Sequence, residues 1–221
     1  MLIWIRRSFA FVLLSLAQVA IAQAWASPQH TSPEAPATIL VVGDSLAAEY
    51  GLKHGSGWVG IIERNLQNQY PAYQVHNSSI SGDTSSGGLS RLPGLLKQYS
   101  PDIVIIELGA NDALRGLALD DTQKNLSRMI ALSQQINAQV LLLGMQIPPN
   151  YGRKYAEQFH KLYPQLAREH NTGLTPFLFE GMAMERSLFQ SDGIHPNEKA
   201  QPILASNVWR ELEPMLTQQK P

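Results

Sequence analysis

The chain has no cysteine among its 221 residues. This absence excludes disulfide bonds, a thiol nucleophile and a thiolate metal site. The formal net charge is only −1, so there is no excess of positive charge to favour nucleic acid or an anionic lipid surface. Charged residues are 16% and hydrophobic residues 44% of the chain. This composition is typical of a globular protein, and the length suffices for one domain with a buried core.

The N-terminus has the features of a secretory signal peptide. Two arginines precede an apolar run at residues 9–21, and Ala24-Trp25-Ala26 supplies small residues at the spacing that signal peptidase recognises. The run is shorter than a membrane span requires. We therefore expect residues 1–26 to be a signal peptide cleaved near Ala26, and residues 27–36, with three prolines, to be a flexible lead-in. The mature protein is then periplasmic or secreted by a bacterium.

Short apolar segments alternate with amphipathic segments through the rest of the chain. The predicted strands are residues 38–42, 73–77, 102–108, 139–145 and 174–178. The predicted helices are residues 57–70, 85–99, 121–136, 154–170 with an interruption at Pro164, and 197–216. Nearly continuous apolar strands that alternate with helices indicate a parallel sheet covered on both faces. We therefore predict a single domain, residues 37–221, of three-layer α/β/α architecture with about five parallel strands.

Ser45 directly follows the first predicted strand. Gly43 tolerates the backbone angles of a sharp turn at the end of that strand. Because Asp44 and Ser45 are both favourable helix N-caps, we expect a helix to begin here, with Ser45 at the positive end of its dipole. That setting suits a nucleophile beside developing negative charge. The same pattern is also that of an ordinary turn between a strand and a helix.

A possible partner for this serine lies 150 residues further along. Asp192 and His195 are three residues apart on a glycine-containing turn, so both side chains can point to the same side. The carboxylate can then fix the tautomer of the imidazole, whose other nitrogen takes a proton from Ser45. The alternative is a surface histidine before Pro196, with Asp192 only shaping the turn. The serine at a strand end favours the catalytic interpretation.

Two further residues follow neighbouring strands. Gly82 lies after the second predicted strand and Asn111 after the third. In parallel sheets, ligands bind outside the carboxyl ends of the strands, so these loops converge on one edge with Ser45. The N–H groups of Ser45 and Gly82 and the side-chain amide of Asn111 are candidate oxyanion donors. Taken singly, Gly82 and Asn111 are also ordinary turn residues.

Three further acids lie in or near these loops. Glu107 is unexpected in an apolar strand, where it is either paired in the core or placed at the strand end. Asp83 and Asp112 are candidates for bracing the loops of Gly82 and Asn111.

These segments together resemble the SGNH (GDSL) hydrolases. The matching blocks are Gly43-Asp44-Ser45-Leu46, Gly82, Gly109-Ala110-Asn111-Asp112 and Asp192-Gly193-Ile194-His195-Pro196. The four residues that name the family match Ser45, Gly82, Asn111 and His195, and Asp192 matches its triad acid. Residues 144–152 further resemble the bacterial periplasmic branch of acyl-CoA thioesterase I, protease I, lysophospholipase and arylesterase. The resemblance implies a flavodoxin-like sheet and a serine hydrolase of esters and thioesters that needs no metal or cofactor.

The expected partner is a small-molecule acyl ester or thioester. Leu114, Ile147, Pro148 and Tyr151 lie in loops after the third and fourth predicted strands, and we expect them to line an apolar groove for the acyl chain. Neither nucleic acid nor stable membrane insertion is expected. The oligomeric state is left open, with a monomer expected.

Two other functions stay open at this point. A carbohydrate O-deacetylase on the same scaffold would need aromatic or polar platforms around the cleft, and these loops have few aromatics. A non-catalytic flavodoxin-like binding module would use the same loops to hold a small anion or nucleotide. Asp192 and His195 disfavour the binding module, because binding alone needs no base beside Ser45.

Overall fold

Five short parallel strands form the centre of the structure. The computed structural model describes residues 36–216, so the predicted signal peptide and residues 27–35 of the lead-in lie outside the described residues. The strands are β1 (Ala37–Gly43), β2 (Tyr73–Asn77), β3 (Ile103–Glu107), β4 (Gln139–Leu143) and β5 (Gly173–Thr175). They pair in the order β2-β1-β3-β4-β5, and every pair is parallel. This is the order of a flavodoxin-like sheet, and it confirms the predicted α/β fold.

Helices cover both faces of this sheet. The helices are α1 (Trp58–Gln69), α2 (Ser85–Tyr99), α3 (Ala110–Leu114), α4 (Leu119–Gln135), α5 (Arg153–His170) and α6 (Gln201–Leu216). The first and last of them pack together, whereas α2, α4 and α5 pack side by side as a second layer. Among the residues described, none of these helices is long and apolar enough to cross a bilayer.

The core is built mainly from the three central strands. Ile39 and Val42 in β1 are fully buried, as are Ile103 in β3 and Leu141 in β4. Because helices cover both faces, successive side chains of one strand are buried on opposite sides of the sheet, which explains the unbroken apolar runs in the sequence. Burial of each such side chain contributes about 1.5–3 kcal/mol relative to exposure.

The segment after β1 differs from the prediction. Residues 44–52 form consecutive turns rather than a helix, and the first helix begins only at Trp58. Glu49 and Gly51 have positive φ values of 59° and 71°, which a right-handed helix cannot contain. The Glu49 carboxylate instead accepts hydrogen bonds from Gly55 N and Gly57 N, at 2.8 and 2.7 Å. The prediction that a helix begins at Ser45 and places this residue at the positive end of its dipole was therefore wrong.

Smaller differences lie at three other places. Helix α5 is unbroken across Pro164, because Tyr163 before the proline and Leu166 two residues after it are both buried in the core. Helix α6 begins at Gln201, four residues later than predicted, after a turn in which the Asn197 carboxamide oxygen accepts from Lys199 N. Strand β5 ends before Pro176, which cannot donate to the ladder.

Two glycines of α2 provide a test of how closely this helix packs on the core. A Cβ atom at Gly88 would lie 2.2 Å from Leu108 Cδ1, which is buried, whereas a Cβ at Gly94 would meet nothing within 4 Å. Gly88→Ala is therefore expected to lower the free energy of unfolding by about 1–3 kcal/mol through overpacking. Gly94→Ala, the matched control, is expected to raise it by about 0.5–1 kcal/mol. Urea denaturation measures both, and equal effects would contradict the packing argument.

Candidate active site

The three predicted triad residues form one hydrogen-bonded chain. Ser45 Oγ lies 2.9 Å from His195 Nε2, and His195 Nδ1 lies 2.7 Å from Asp192 Oδ2. An ionised carboxylate only accepts hydrogen bonds, so Nδ1 carries the proton of the neutral imidazole. Nε2 is then free to accept from the Ser45 hydroxyl. The structure thus brings together side chains that are 150 residues apart in sequence.

Asp192 is held as an anion by its own turn. Its Oδ1 accepts from the backbone N–H groups of Ile194 and His195, at 2.9 and 3.0 Å. Burial acts to raise the pKa of Asp192, but these two N–H groups and the imidazole together lower the pKa to about 2. The carboxylate therefore stays ionised and can orient the imidazole throughout the neutral range.

The loop that contains His195 is attached to the turn that contains Ser45. Gln190 N donates to His195 O at 2.7 Å, and Gln190 Nε2 donates to Tyr50 O at 2.8 Å. The Tyr50 ring centroid lies 4.5 Å from that of the imidazole, at an interplanar angle of 41°. Sequence reasoning missed Tyr50 and Gln190, because neither belongs to a recognisable motif and both act across two distant segments.

Gly82 is brought to Ser45 by backbone pairing. Ile80 N donates to Gly43 O at 3.0 Å, which joins the loop after β2 to the end of β1. Gly82 has φ of +78°, a conformation that favours glycine. Arg115 Nη2 donates to Gly82 O at 2.8 Å. Neither Ser45 N–H nor Gly82 N–H donates to an acceptor within residues 36–216, so both are available to a ligand.

Arg91 of α2 also holds the loop that contains Gly82. Its Nε pairs with Asp83 Oδ2 at 2.9 Å, and its guanidinium also donates to Ser78 O and, at 3.4 Å, to Gly43 O. Asp83 thus braces the Gly82 loop as expected.

Asn111 lies in α3 with its amide directed to the acid before Ser45. Asn111 Nδ2 donates to Asp44 Oδ2 at 2.8 Å, which uses one of its two amide hydrogens. The neighbouring Asp112 is buried and accepts from Ser85 N at 2.8 Å and from Thr122 Oγ1 at 3.2 Å. Asp112 therefore anchors the short helix to α2 and α4, in agreement with the expected bracing role.

Glu107 and Asp44 form a buried pair of acids. Glu107 is the last residue of β3 and is fully buried, and its Oε2 accepts from Asp44 N at 3.0 Å. It is therefore both paired and at the strand end. Burial, and then the charge of Asp44, raises the pKa of Glu107 well above its usual range. Burial also raises the pKa of Asp44 to about 6, against hydrogen bonds from Leu46, Glu107 and Asn111 and the charge that His195 carries when it is protonated, which lower it.

The four predicted groove residues are not gathered in one pocket. Ile147 is buried and lines a cavity of about 310 Å³ with Gln146, Pro149, Arg153, Ala156, Glu157 and His160. Leu114 is half-buried at the end of α3, and Pro148 is exposed. Tyr151 is 44% exposed in a 3-10 turn. The cavity is lined by none of the triad residues, so it is not the place where Ser45 would react.

The other histidines have local surroundings of their own. His54 pairs with Glu49 at 3.2 Å, His170 Nε2 lies 2.8 Å from Ser127 Oγ, and His76 stacks on Tyr99. Within the described part of the chain, no three His, Asp or Glu side chains are arranged to hold a metal ion.

Comparison with known proteins gives close relatives over most of the chain. The chain is 48% identical over 186 residues to esterase TesA of Pseudomonas aeruginosa, covering 84% of this chain and 92% of that protein. It is 41% identical over 179 residues to thioesterase 1/protease 1/lysophospholipase L1 of Escherichia coli K12, covering 81% and 85%. These are the proteins of the branch that residues 144–152 resemble.

The fold comparison agrees with the sequence comparison. The crystal structure of TesA matches with a TM-score of 0.78 and 48% identity, covering 80% of this chain and 99% of that one. A sequence model of the GDSL-like Lipase/Acylhydrolase family matches residues 41–202. That range includes every residue of the candidate triad and of the candidate oxyanion site. The resemblance to the SGNH (GDSL) hydrolases is thereby confirmed, and the chain belongs to the GDSL-like lipase/acylhydrolase family.

Proposed function

We propose that the protein is a serine hydrolase that cleaves carboxylic esters and thioesters through an acyl-serine intermediate. The observation that carries the proposal is the hydrogen-bonded chain from Ser45 through His195 to Asp192. The names of the relatives, esterase and thioesterase 1/lysophospholipase L1, support acyl esters and thioesters as the substrate class.

In the first step Ser45 Oγ attacks the substrate carbonyl carbon. His195 Nε2, 2.9 Å away, takes the hydroxyl proton as the new O–C bond forms. Asp192 stabilises the resulting imidazolium and keeps its orientation. When the tetrahedral intermediate collapses, the bond to the leaving alcohol or thiol breaks and Nε2 returns the proton to it. Water then repeats the sequence on the acyl-serine and releases the carboxylic acid.

The negative charge of the tetrahedral intermediate falls on the former carbonyl oxygen. The free N–H groups of Ser45 and Gly82 and the second amide hydrogen of Asn111 are the proposed donors to it. Because they are held by backbone pairing and by Asp44, they need no reorganisation during the reaction.

The acyl chain is proposed to lie over the loops at the carboxyl edge of the sheet. Leu114 follows β3, and Ile147, Pro148 and Tyr151 follow β4, so all four are on the edge that presents Ser45. Tyr151 is half-exposed, so its ring can pack against an acyl chain without leaving the protein core. Such packing would remove apolar surface of both the ring and the chain from water.

The protein is proposed to act in the periplasm or outside the cell. The support is the arginine-flanked apolar run and the small residues before position 27. The proposed mature enzyme begins near residue 27.

Ser45→Ala is expected to lower kcat on p-nitrophenyl acetate by about 10⁶-fold, the loss seen when a serine hydrolase loses its nucleophile. The matched control is Ser86→Ala, which alters an exposed serine of α2 and should leave kcat unchanged. Labelling with a fluorophosphonate should disappear only in the Ser45 variant. An active Ser45→Ala protein would show that another group is the nucleophile.

Asp192→Asn is expected to lower kcat by about 10⁴-fold with little change in KM, because the imidazole loses the acceptor that fixes its tautomer. Steady-state kinetics measure this loss. Glu198→Gln removes a charge from the same exposed loop without touching the imidazole, so it controls for electrostatics. Equal effects of the two changes would mean that Asp192 only shapes the turn.

Tyr151→Ala is expected to lower kcat/KM for p-nitrophenyl octanoate relative to the acetate ester by about 10-fold, because apolar cover of the acyl chain is lost. The control is Ile136→Ala, which removes a comparably exposed apolar side chain from the opposite edge of the sheet. An unchanged ratio for Tyr151→Ala would place the acyl chain elsewhere.

A further inference from the structure

We propose that Asp44 and Glu107 are positioning residues of the oxyanion site. Glu107 is held as the neutral acid and donates a hydrogen bond to the Asp44 carboxylate, which in turn fixes the amide of Asn111 with one N–H left for the substrate oxygen. The inference rests on the proposed function and assigns two acids that the serine mechanism does not use.

The geometry of the pair begins with strand register. Glu107 pairs with Gly43 across β3 and β1, so its carboxyl group lies beneath the start of the turn that presents Ser45. Its Oε2 accepts from Asp44 N, and its carboxyl group lies within hydrogen-bonding reach of the Asp44 carboxylate. Its Oε1 is buried and accepts no hydrogen bond within the described residues, so it is the oxygen that can carry the proton. An ionised Glu107 would therefore be a poorly solvated charge beside a second carboxylate.

The charged and titratable surroundings of the pair explain which acid keeps the proton. Tyr163 of α5 is buried near enough to Glu107 for their charges to interact, and a phenol is neutral or anionic, so it offers no positive charge. Arg91 of α2 reaches Gly43 O but forms its ion pair elsewhere. His195, when it is protonated, favours the ionised form of Asp44 through its charge. The proton thus resides on Glu107 and the negative charge on Asp44.

An ionised Asp44 determines how the Asn111 amide is turned. Asp44 Oδ1 accepts from Leu46 N at 3.0 Å and Oδ2 accepts from Asn111 Nδ2 at 2.8 Å. A carboxylate that only accepts cannot tolerate the amide oxygen in place of the nitrogen. The amide is therefore locked against a flip, and its second N–H is available to the developing oxyanion. With a second negative charge on Glu107, the site would instead oppose that oxyanion.

The test compares two replacements of Glu107. Glu107→Leu removes both the acceptor for Asp44 N–H and the donor to the Asp44 carboxylate, and is expected to lower kcat by about 100-fold with little change in KM, near the loss of one oxyanion donor. Glu107→Gln supplies both groups in the shape of the neutral acid, and should recover most of that loss. Turnover is expressed per phosphonate-reactive serine, so unfolded protein does not count.

A control variant separates positioning from simple loss of stability. Asn207→Leu removes a buried amide that donates to Leu178 O and Glu180 O in another part of the core. It should lower the melting temperature but leave kcat unchanged. A fall in kcat as large as that of Glu107→Leu would show that any core damage has this effect, and would overturn the inference.

A double-mutant cycle tests the link to Asn111. Asn111→Ala should cost about 100–1,000-fold in kcat in the wild-type background. In the Asp44→Asn background, residue 44 keeps only one accepting oxygen for both Leu46 N and Asn111 Nδ2, so the Asn111 amide is no longer fixed. Asn111→Ala should then cost less than about 10-fold in kcat. Losses that simply multiply would overturn the inference alone. A wild-type protein without turnover would overturn the proposed function as well.

The protonation of Glu107 has its own readout in stability. The pKa of Glu107 is raised in the folded protein, so the folded state keeps a proton that the unfolded chain loses above its usual value of 4.5. Wild-type stability should therefore fall relative to Glu107→Gln as the pH rises from about 4.5 towards neutrality. Thermal melts at several pH values measure the difference. A difference that is constant with pH would show that Glu107 is not held neutral.

Discussion

The arrangement of the reaction edge depends on the register between β1 and β3, which places Glu107 directly opposite Gly43. A side chain at position 43 would lie 2.7 Å from Glu107 Oε2, so only glycine lets the carboxyl group approach the backbone. The carboxyl oxygen then accepts from Asp44 N and holds the first residue of the turn. Ser45 thus lies in a series of turns held by a buried acid, whereas its sequence predicts a helix N-terminus.

Each remaining part of the site is attached to this turn by a short polar contact. The loop after β2 pairs with Gly43 O through Ile80 N, and the amide of Asn111 after β3 binds the Asp44 carboxylate. The loop of His195 reaches it through Gln190, which donates to Tyr50 O. Because these contacts join separate strand ends, the rigid sheet sets the distances between the reacting groups. Catalytic geometry and fold stability therefore share the same hydrogen bonds.

The sequence predicts the fold well, and it assigns the candidate site residues to one edge of the sheet, because both inferences follow local rules. Unbroken apolar runs indicate enclosed parallel strands, and the carboxyl ends of such strands must meet, so Ser45, Gly82 and Asn111 could be assigned to one edge. The turn at residues 44–52 could not be predicted, because the positive φ of Glu49 is stabilised by Gly55 N and Gly57 N across the loop. The alternation of apolar strands in the sequence also could not show that Glu107 contacts Asp44, because this contact depends on the register between β1 and β3.

Two acids of the site, Asp192 and Glu107, show how one kind of side chain can take opposite roles. Asp192 is 37% exposed and accepts two backbone N–H bonds, and its pKa is lowered to about 2. Glu107 is fully buried beside another acid, and its pKa is raised. The exposed carboxylate can therefore stabilise an imidazolium, whereas the buried acid stays neutral and donates. A site with three ionised acids would oppose the proposed oxyanion, and neutrality of Glu107 keeps the number of ionised acids at two, Asp44 and Asp192.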